Sequence, residues 1–174
     1  MFKINKKGQA FSTFQLLIAA VVALAILGVL LPMITNHPPI DNDPINASKE
    51  LIRTQITNRG TLIFTKDVRF DSSNTTLSAE SVVEGSGLNM DQVTFTNGGL
   101  TNEFTATGNI LRYNLQRNST MKIGILCSEG KENLKNYIEN EYSNDKILDG
   151  GEDIISTLTD DESLTVCVIF PKRA

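Results

Sequence analysis

Residues 14–33 read FQLLIAAVVALAILGVLLPM, a stretch in which the one polar side chain is Gln15. A helix rises about 1.5 Å per residue, so this stretch can cover roughly 30 Å, the hydrocarbon thickness of a bilayer. A helix that packs on a soluble core carries a polar stripe on its outer face, and this stretch has none. It therefore predicts a long hydrophobic helix that spans a membrane.

Charge divides the chain at the end of this stretch. Residues 1–40 contain Lys3, Lys6 and Lys7 and no acidic side chain, whereas residues 41–174 contain all 20 acidic and 13 of the 16 basic side chains. Because basic residues stay on the cytoplasmic side of a membrane, the N-terminus is predicted to be cytoplasmic and residues 41–174 extracellular. An acidic domain is also a poor match for nucleic-acid phosphates, so no nucleic-acid partner is expected.

Three kinds of targeting segment are considered for the N-terminus. A cleaved secretory signal has a shorter apolar region and ends in small residues, whereas residues 30–34 read LLPMI and offer no such cleavage pattern. A plain signal anchor would leave the whole segment in place. A prepilin-type signal is cut before the apolar helix, which then stays on the mature protein.

Residues 6–12 read KKGQAFS, which resembles the class III signal peptides of archaeal type IV pilin-like proteins. The resemblance implies that a prepilin-type peptidase cuts between Gly8 and Gln9 and that the helix then packs with like or related pilin subunits. Many pilins have Glu at the fifth mature position, where this chain has Thr13. That difference favours a minor pilin or a pilin-like membrane protein over a major subunit.

The predicted fold class is α+β, with a long N-terminal hydrophobic helix, transmembrane or filament-core, before a small domain. That domain is expected to have a mainly antiparallel β-sheet and one or two packed helices. The predicted segments are a basic leader peptide over 1–8, the hydrophobic helix over 9–35, a Pro-rich exit segment over 36–43 and the extracellular domain over 44–174.

Small residues mark one face of the predicted hydrophobic helix. Ala19 and Ala23 lie four residues apart, and small side chains at this spacing let helices approach closely. We therefore predict a helix-packing role for both residues. The alternative is that alanine is simply a common, helix-favouring residue of apolar helices.

Local patterns predict the elements of the acidic domain. Asp43 and Pro44 are typical first residues of a helix, predicted over 44–58, and an apolar stripe predicts another helix over 132–142. The sequence Asn97-Gly98-Gly99 predicts a hairpin turn, and Pro171 is expected to end the last strand. Strands are predicted from β-branched and aromatic runs at 62–64, 68–70, 92–95, 109–113, 120–127 and 163–170.

The two cysteines, Cys127 and Cys167, lie in two of these strands. Disulfides persist outside the cytoplasm, and a bridge that closes a loop of about 40 residues stabilises a fold by a few kcal/mol. We therefore predict a disulfide between them. Two buried free thiols are the main alternative, and a reactive Cys127 is another, although the single histidine, His37, lies far upstream.

Few other residues suggest chemistry. The pattern Asn-x-Ser/Thr makes Asn46, Asn74 and Asn118 candidate N-glycosylation sites. The acidic runs at 149–153 and 160–162 lack the spacing of an EF-hand, and the sequence has no dinucleotide loop or hydrolase signature. We expect no catalytic residue, no metal site, no cofactor and no enzyme activity.

Two functions from different classes remain open. The first is a pilin-like subunit or minor pilin of an archaeal surface filament, assembling through its N-terminal hydrophobic helix. Its expected partners are the membrane, like or related pilin subunits, and the prepilin-type peptidase. The alternative is a single-pass membrane-anchored extracellular binding domain that does not polymerise.

Overall fold

The computed structural model describes residues 14–27, 43–72, 75–145, 147 and 152–174. The chain divides into two compact units, Met1–Pro38 and Pro39–Ala174. The described part of the first unit is one helix, α1, over residues 14–27. All other described elements belong to the second unit, which we call the head domain.

The prediction of a long transmembrane or filament-core helix over 9–35 is wrong. The described helix covers residues 14–27, about 21 Å at the usual rise, and a membrane span needs about 20 apolar helical residues. Among the described residues, no helix is both long and apolar enough to cross a membrane. The prediction failed because the apolar composition of a stretch does not fix the bounds of a helix. Residues 9–13 and 28–35 lie outside the described ranges.

The described part of the head domain contains three α-helices and eight strands. The helices are α2 (Pro44–Thr57), α3 (Ala79–Val83) and α4 (Lys131–Asn140). The strands are β1 (Ile63–Phe64), β2 (Val68–Phe70), β3 (Thr76–Ser78), β4 (Val93–Phe95), β5 (Phe104–Ala106), β6 (Ile110–Tyr113), β7 (Ser119–Glu129) and β8 (Thr165–Arg173). Short 3-10 helices cover Met90–Gln92, Ser143–Asp145 and Glu152–Thr157. One or two helices were predicted, and the additional one is the five-residue α3.

Helix α2 begins where the sequence predicts it. The carboxylate of Asp43 accepts hydrogen bonds from the backbone N–H groups of Ile45 at 3.0 Å and Asn46 at 3.2 Å. Pro44 occupies the first turn, where its missing N–H would have no helical partner. The buried side of the helix carries Ile52, which is fully inaccessible to solvent and packs into the core of the head domain.

The strands form two sheets. The main sheet has the order β1-β7-β8-β4, with β2 also paired to β7, and the small sheet has the order β3-β6-β5. The pair of β4 with β8 is parallel, whereas the other ladders are antiparallel. The main sheet is therefore mixed, with antiparallel ladders in the majority and one parallel ladder, that of β4 with β8. The predicted hairpin is wrong, since β4 and β5 flank Asn97-Gly98-Gly99 but belong to different sheets.

The central strands β7 and β8 are covered on both faces, as the apolar run in β7 predicts. Alternate residues point to opposite faces of a strand, so each strand contributes to two cores. One core contains Ile123, Ile125, Cys127, Cys167 and Ile169 together with residues of α2, α3 and the small sheet. The other contains Leu126, Val166, Val168 and Phe170 together with residues of α4.

Pro171 does not end β8, which continues to Arg173. Pro171 lies opposite Ile123 of β7, whereas β4 pairs with β8 from Cys167 to Ile169. The proline therefore lies beyond the segment that β4 pairs, and a residue without an N–H is tolerated at such an edge.

Gly98 turns the chain after β4 and lies against β8. Its φ is +57°, and a Cβ atom there would meet the backbone carbonyl oxygen of Pro171 and, at 3.3 Å, Cδ2 of Phe170. We expect Gly98→Ala to lower the free energy of unfolding by about 2–3 kcal/mol, because left-handed strain and the clash add. Urea unfolding followed by circular dichroism measures this loss.

Gly87 provides the matched control for that variant. Its φ is +84°, and an added Cβ would meet nothing within 4 Å. Gly87→Ala carries the strain without the clash, so we expect a loss of only about 1 kcal/mol. Equal losses of unfolding free energy for the two variants would show that the close contact with Pro171 does not restrict the residue at position 98.

Candidate functional site

Helix α1 carries a continuous apolar surface. Its nine large hydrophobic side chains, from Phe14 to Leu27, are 47–69% exposed. A helix that is apolar on all sides is normally buried in a protein core or in lipid, and large exposed apolar surfaces mark interaction sites. The described part of the first unit is therefore the leading candidate for an association surface.

One face of α1 forms a shallow, open depression. The lining residues follow the spacing of a single helix face. Ala19 and Ala23, predicted for helix packing, both belong to it, and their short side chains leave the space between larger neighbours. The lining side chains are Gln15, Ile18, Ala19, Val22, Ala23 and Ile26, and we call this face the alanine stripe.

Cys127 and Cys167 form a disulfide, which is the pairing that the sequence analysis favoured. The two residues are directly opposite each other in the antiparallel ladder of β7 and β8, and both are fully buried. The alternatives of free or reactive thiols are therefore excluded for this structure. The bridge joins the two longest strands at the centre of the head domain.

The three candidate glycosylation sites differ in environment. Asn46 is exposed but lies in the first turn of α2, with its side-chain amide donating to the Asp43 carboxylate at 2.7 Å. The Ser48 hydroxyl of the same sequon is buried and donates to the Pro44 carbonyl at 2.7 Å. Asn118 is exposed just before β7 and accepts a hydrogen bond from the Ser72 N–H at 3.1 Å.

These environments favour Asn118 over Asn46 as a glycosylation site, because Asn118 lies outside a helix and is accessible. Asn74 lies outside the described residues. Gly8 and Gln9, the predicted processing site, also lie outside the described residues. Processing and glycosylation therefore stay predictions.

The head domain has a groove that the sequence did not predict. It has a volume of about 680 Å³, and we call it the α3 groove because residues of α3 form one wall. Local patterns give no signal for it, since its lining comes from four separate parts of the chain. The lining residues are Ser78, Ala79, Glu80, Val83, Leu88, Asn89, Met90, Asp91, Asn109, Ile110 and Thr157.

Backbone hydrogen bonds hold the walls of the α3 groove together. The N–H of Ala79 donates to the Asn109 carbonyl at 2.8 Å, which joins α3 to β6. The N–H of Thr159 donates to the Asp91 carbonyl at 2.9 Å. The buried side-chain amide of Gln92 donates to the Thr165 carbonyl of β8 at 2.7 Å. The groove is therefore anchored to both sheets.

The α3 groove has an acidic lining. The exposed side chains of Glu80 and Asp91 belong to it, and none of its lining residues is a lysine or arginine. Next to α3, the Glu84 carboxylate accepts a hydrogen bond from the Lys49 ammonium at 2.6 Å. This hydrogen bond and the positive charge of Lys49 hold the pKa of Glu84 below its usual value.

The acidic run 160–162 makes contacts within the head domain. Asp160 forms an ion pair with Lys131. Ser163 donates from its hydroxyl at 2.6 Å and from its N–H at 3.0 Å to the Asp161 carboxylate, and these bonds lower the pKa of that carboxyl. Among the described residues, no three His, Cys, Asp or Glu side chains are grouped as metal ligands.

Comparisons with models of known families, with curated proteins and with solved structures find no match to this chain. The functional assignment therefore depends on three features of the chain itself. They are the apolar surface of α1, the buried disulfide of the head domain and the α3 groove.

Proposed function

We propose that this chain is a pilin-like subunit or minor pilin of an archaeal surface filament and associates with like or related subunits through α1. The observation that carries the proposal is the exposure of nine large apolar side chains on this one helix. Burying one such side chain fully is favourable by about 1.5–3 kcal/mol. Contact between α1 helices of neighbouring subunits would therefore stabilise an assembly.

The alanine stripe supports association between helices. Ala19 and Ala23 lie on one face of α1, with Ile18, Val22 and Ile26 on the same face. Small residues let two helix backbones come close, and the larger side chains beside them then pack across the interface. The stripe is therefore the face on which we expect a second α1 helix to lie.

The disulfide supports the extracellular location of the head domain that the proposal requires. Disulfides form and persist outside the cytoplasm, and Cys127 and Cys167 are bridged in the head domain. The KKGQAFS sequence at residues 6–12 adds the resemblance to a class III signal peptide. A head domain outside the cell and cleavage before Gln9 are both part of the proposal.

The first test examines surface filaments directly. The full chain is expressed in archaeal cells that contain a prepilin-type peptidase, and filaments sheared from the surface are analysed by electron microscopy and mass spectrometry. We expect the chain in the filament fraction with Gln9 as its first residue. A chain that begins at Met1 and stays with the cell body would overturn the proposal.

A pair of variants tests whether α1 is the association surface. The double variant A19L/A23L fills the alanine stripe, so we expect severalfold less chain in the filament fraction because close helix contact is blocked. Ala20→Leu is the matched control, since Ala20 is exposed on α1 but does not line the stripe. Equal filament yields for both variants would exclude the stripe as the contact face.

An exported binding domain that does not polymerise is the second candidate. The observation that favours it is the α3 groove, which brings two exposed apolar side chains, Met90 and Ile110, together on the head domain. Absence of the chain from sheared filaments, together with a soluble ligand for the groove, would favour this second candidate over the first.

A further inference from the structure

We propose that the α3 groove binds an extended peptide segment of a partner protein, one that presents an apolar side chain beside a lysine or arginine. The groove belongs to the head domain and contains no residue of α1. Peptide binding in the groove and assembly through α1 can therefore succeed or fail independently.

The apolar part of the site is the first ground for this proposal. In the described part of the head domain, the two exposed large hydrophobic side chains are Met90, 53% exposed, and Ile110, 39% exposed. They come from different elements, a 3-10 helix and β6, yet both line the α3 groove. Val83 of α3 is half-buried and also lines the groove, so an apolar side chain would find a further apolar partner there.

Charge complementarity is the second ground. Glu80 and Asp91 are exposed carboxylates in the lining, and no lining residue carries a positive charge. The nearby Lys49 is paired with Glu84. A basic residue on the partner would thus meet two carboxylates, and no lysine or arginine of the groove lining would compete for them. An acidic partner would be repelled.

The binding walls are formed before any partner arrives. The hydrogen bond from Ala79 to Asn109 ties α3 to the start of β6, and the one from Thr159 to Asp91 ties the 3-10 helix Met90–Gln92 to the segment that follows Glu152–Thr157. Ser78 caps α3, and its hydroxyl accepts from the Ser81 N–H at 3.2 Å. A preformed site loses little conformational entropy on binding, and Asn89 and Asn109 add polar groups that can bond a peptide backbone.

The test uses synthetic peptides of defined composition and the full-length protein. The probe is fluorescein-labelled KFKLK with blocked ends, and the comparison peptides are EFELE, which reverses the charge, and KSKSK, which removes the apolar side chains. We expect fluorescence anisotropy to show binding of KFKLK only. Methyl NMR spectra should show shifts of the Met90 and Ile110 methyl groups on titration with this peptide.

Variants of the groove test the apolar contact and the charge complementarity separately. M90S/I110T removes the exposed apolar contacts and should weaken KFKLK binding by about tenfold or more. E80Q/D91N removes the charges and should weaken binding severalfold, with a smaller dependence on salt. Glu132→Gln is the matched control, because Glu132 is an exposed acidic residue of α4 outside the groove, and it should bind as the unaltered protein does.

Several outcomes would overturn the proposal. Equal binding of EFELE would exclude charge recognition, and equal binding of KSKSK would exclude the apolar contact. KFKLK binding that M90S/I110T leaves unchanged would place the peptide elsewhere. Should that variant unfold, the methyl shifts of the unaltered protein and the E80Q/D91N affinity decide the question, since neither depends on it.

Discussion

The double variant C127A/C167A is expected to lower the free energy of unfolding of the head domain by at least about 4 kcal/mol. The two cysteines are separated by 40 residues, and the cost of closing a loop of that length in the unfolded chain accounts for the whole of this figure. Because both residues are fully buried, the small cavity that each alanine leaves adds to the loss. Urea unfolding at a fixed protein concentration measures the change.

Reduction provides the control for this variant. The unaltered protein, unfolded in the presence of a reducing agent, should lose nearly the same stability as C127A/C167A. The double variant itself should not respond to the reducing agent, since the chain has two cysteines and the variant replaces both. If reduction left the urea midpoint of the unaltered protein unchanged, the disulfide would not contribute to its stability.

Elements that depend on neighbouring residues were predictable from the sequence. Asp43 and Pro44 define the start of α2 because a helix N-terminus needs an acceptor side chain and tolerates proline. The run from Ile123 to Cys127 identifies a strand that is covered on both faces, which β7 is. The disulfide was predictable because Cys127 and Cys167 both lie in segments with strong strand patterns and because the domain was predicted to be extracellular.

Features that depend on distant parts of the chain were not predictable. The Asn97-Gly98-Gly99 turn has a hairpin sequence, but β4 pairs with β8, whose matching residues lie more than 70 positions downstream. The α3 groove has the same origin, since Glu80, Met90 and Ile110 come together only after the sheets have packed. No local pattern encodes either arrangement.

The N-terminal stretch shows a different limit of sequence reasoning. Hydropathy identifies residues 14–33 as apolar, and α1 is apolar, but a count of apolar residues gave a longer helix than the described one. What α1 does provide is an exposed apolar surface, and contact between such a surface and water is unfavourable. The proposal that subunits associate through α1 rests on this surface and makes no assumption about a membrane.

Phe70→Ala is expected to lower the free energy of unfolding by about 3–5 kcal/mol. Phe70 of β2 belongs to the main sheet and is 1% exposed. Its ring meets that of Phe104 edge to face at 5.1 Å between centroids, and that of Tyr113 at 5.7 Å. Since Phe104 and Tyr113 belong to the small sheet, the substitution would remove the aromatic contact that joins the two sheets.

Arg69 supplies the matched control on the same strand. It is exposed, points to the opposite face and pairs with Asp71 at 3.2 Å, a surface ion pair worth at most about 1 kcal/mol. Arg69→Ala should therefore cost less than about 1 kcal/mol, and Phe70→Leu, which keeps most of the volume, about 1–2 kcal/mol. Urea midpoints in the order Arg69→Ala, Phe70→Leu, Phe70→Ala, from highest to lowest, are the expected result. A Phe70→Ala midpoint equal to that of Arg69→Ala would mean that the aromatic cluster does not hold the sheets together.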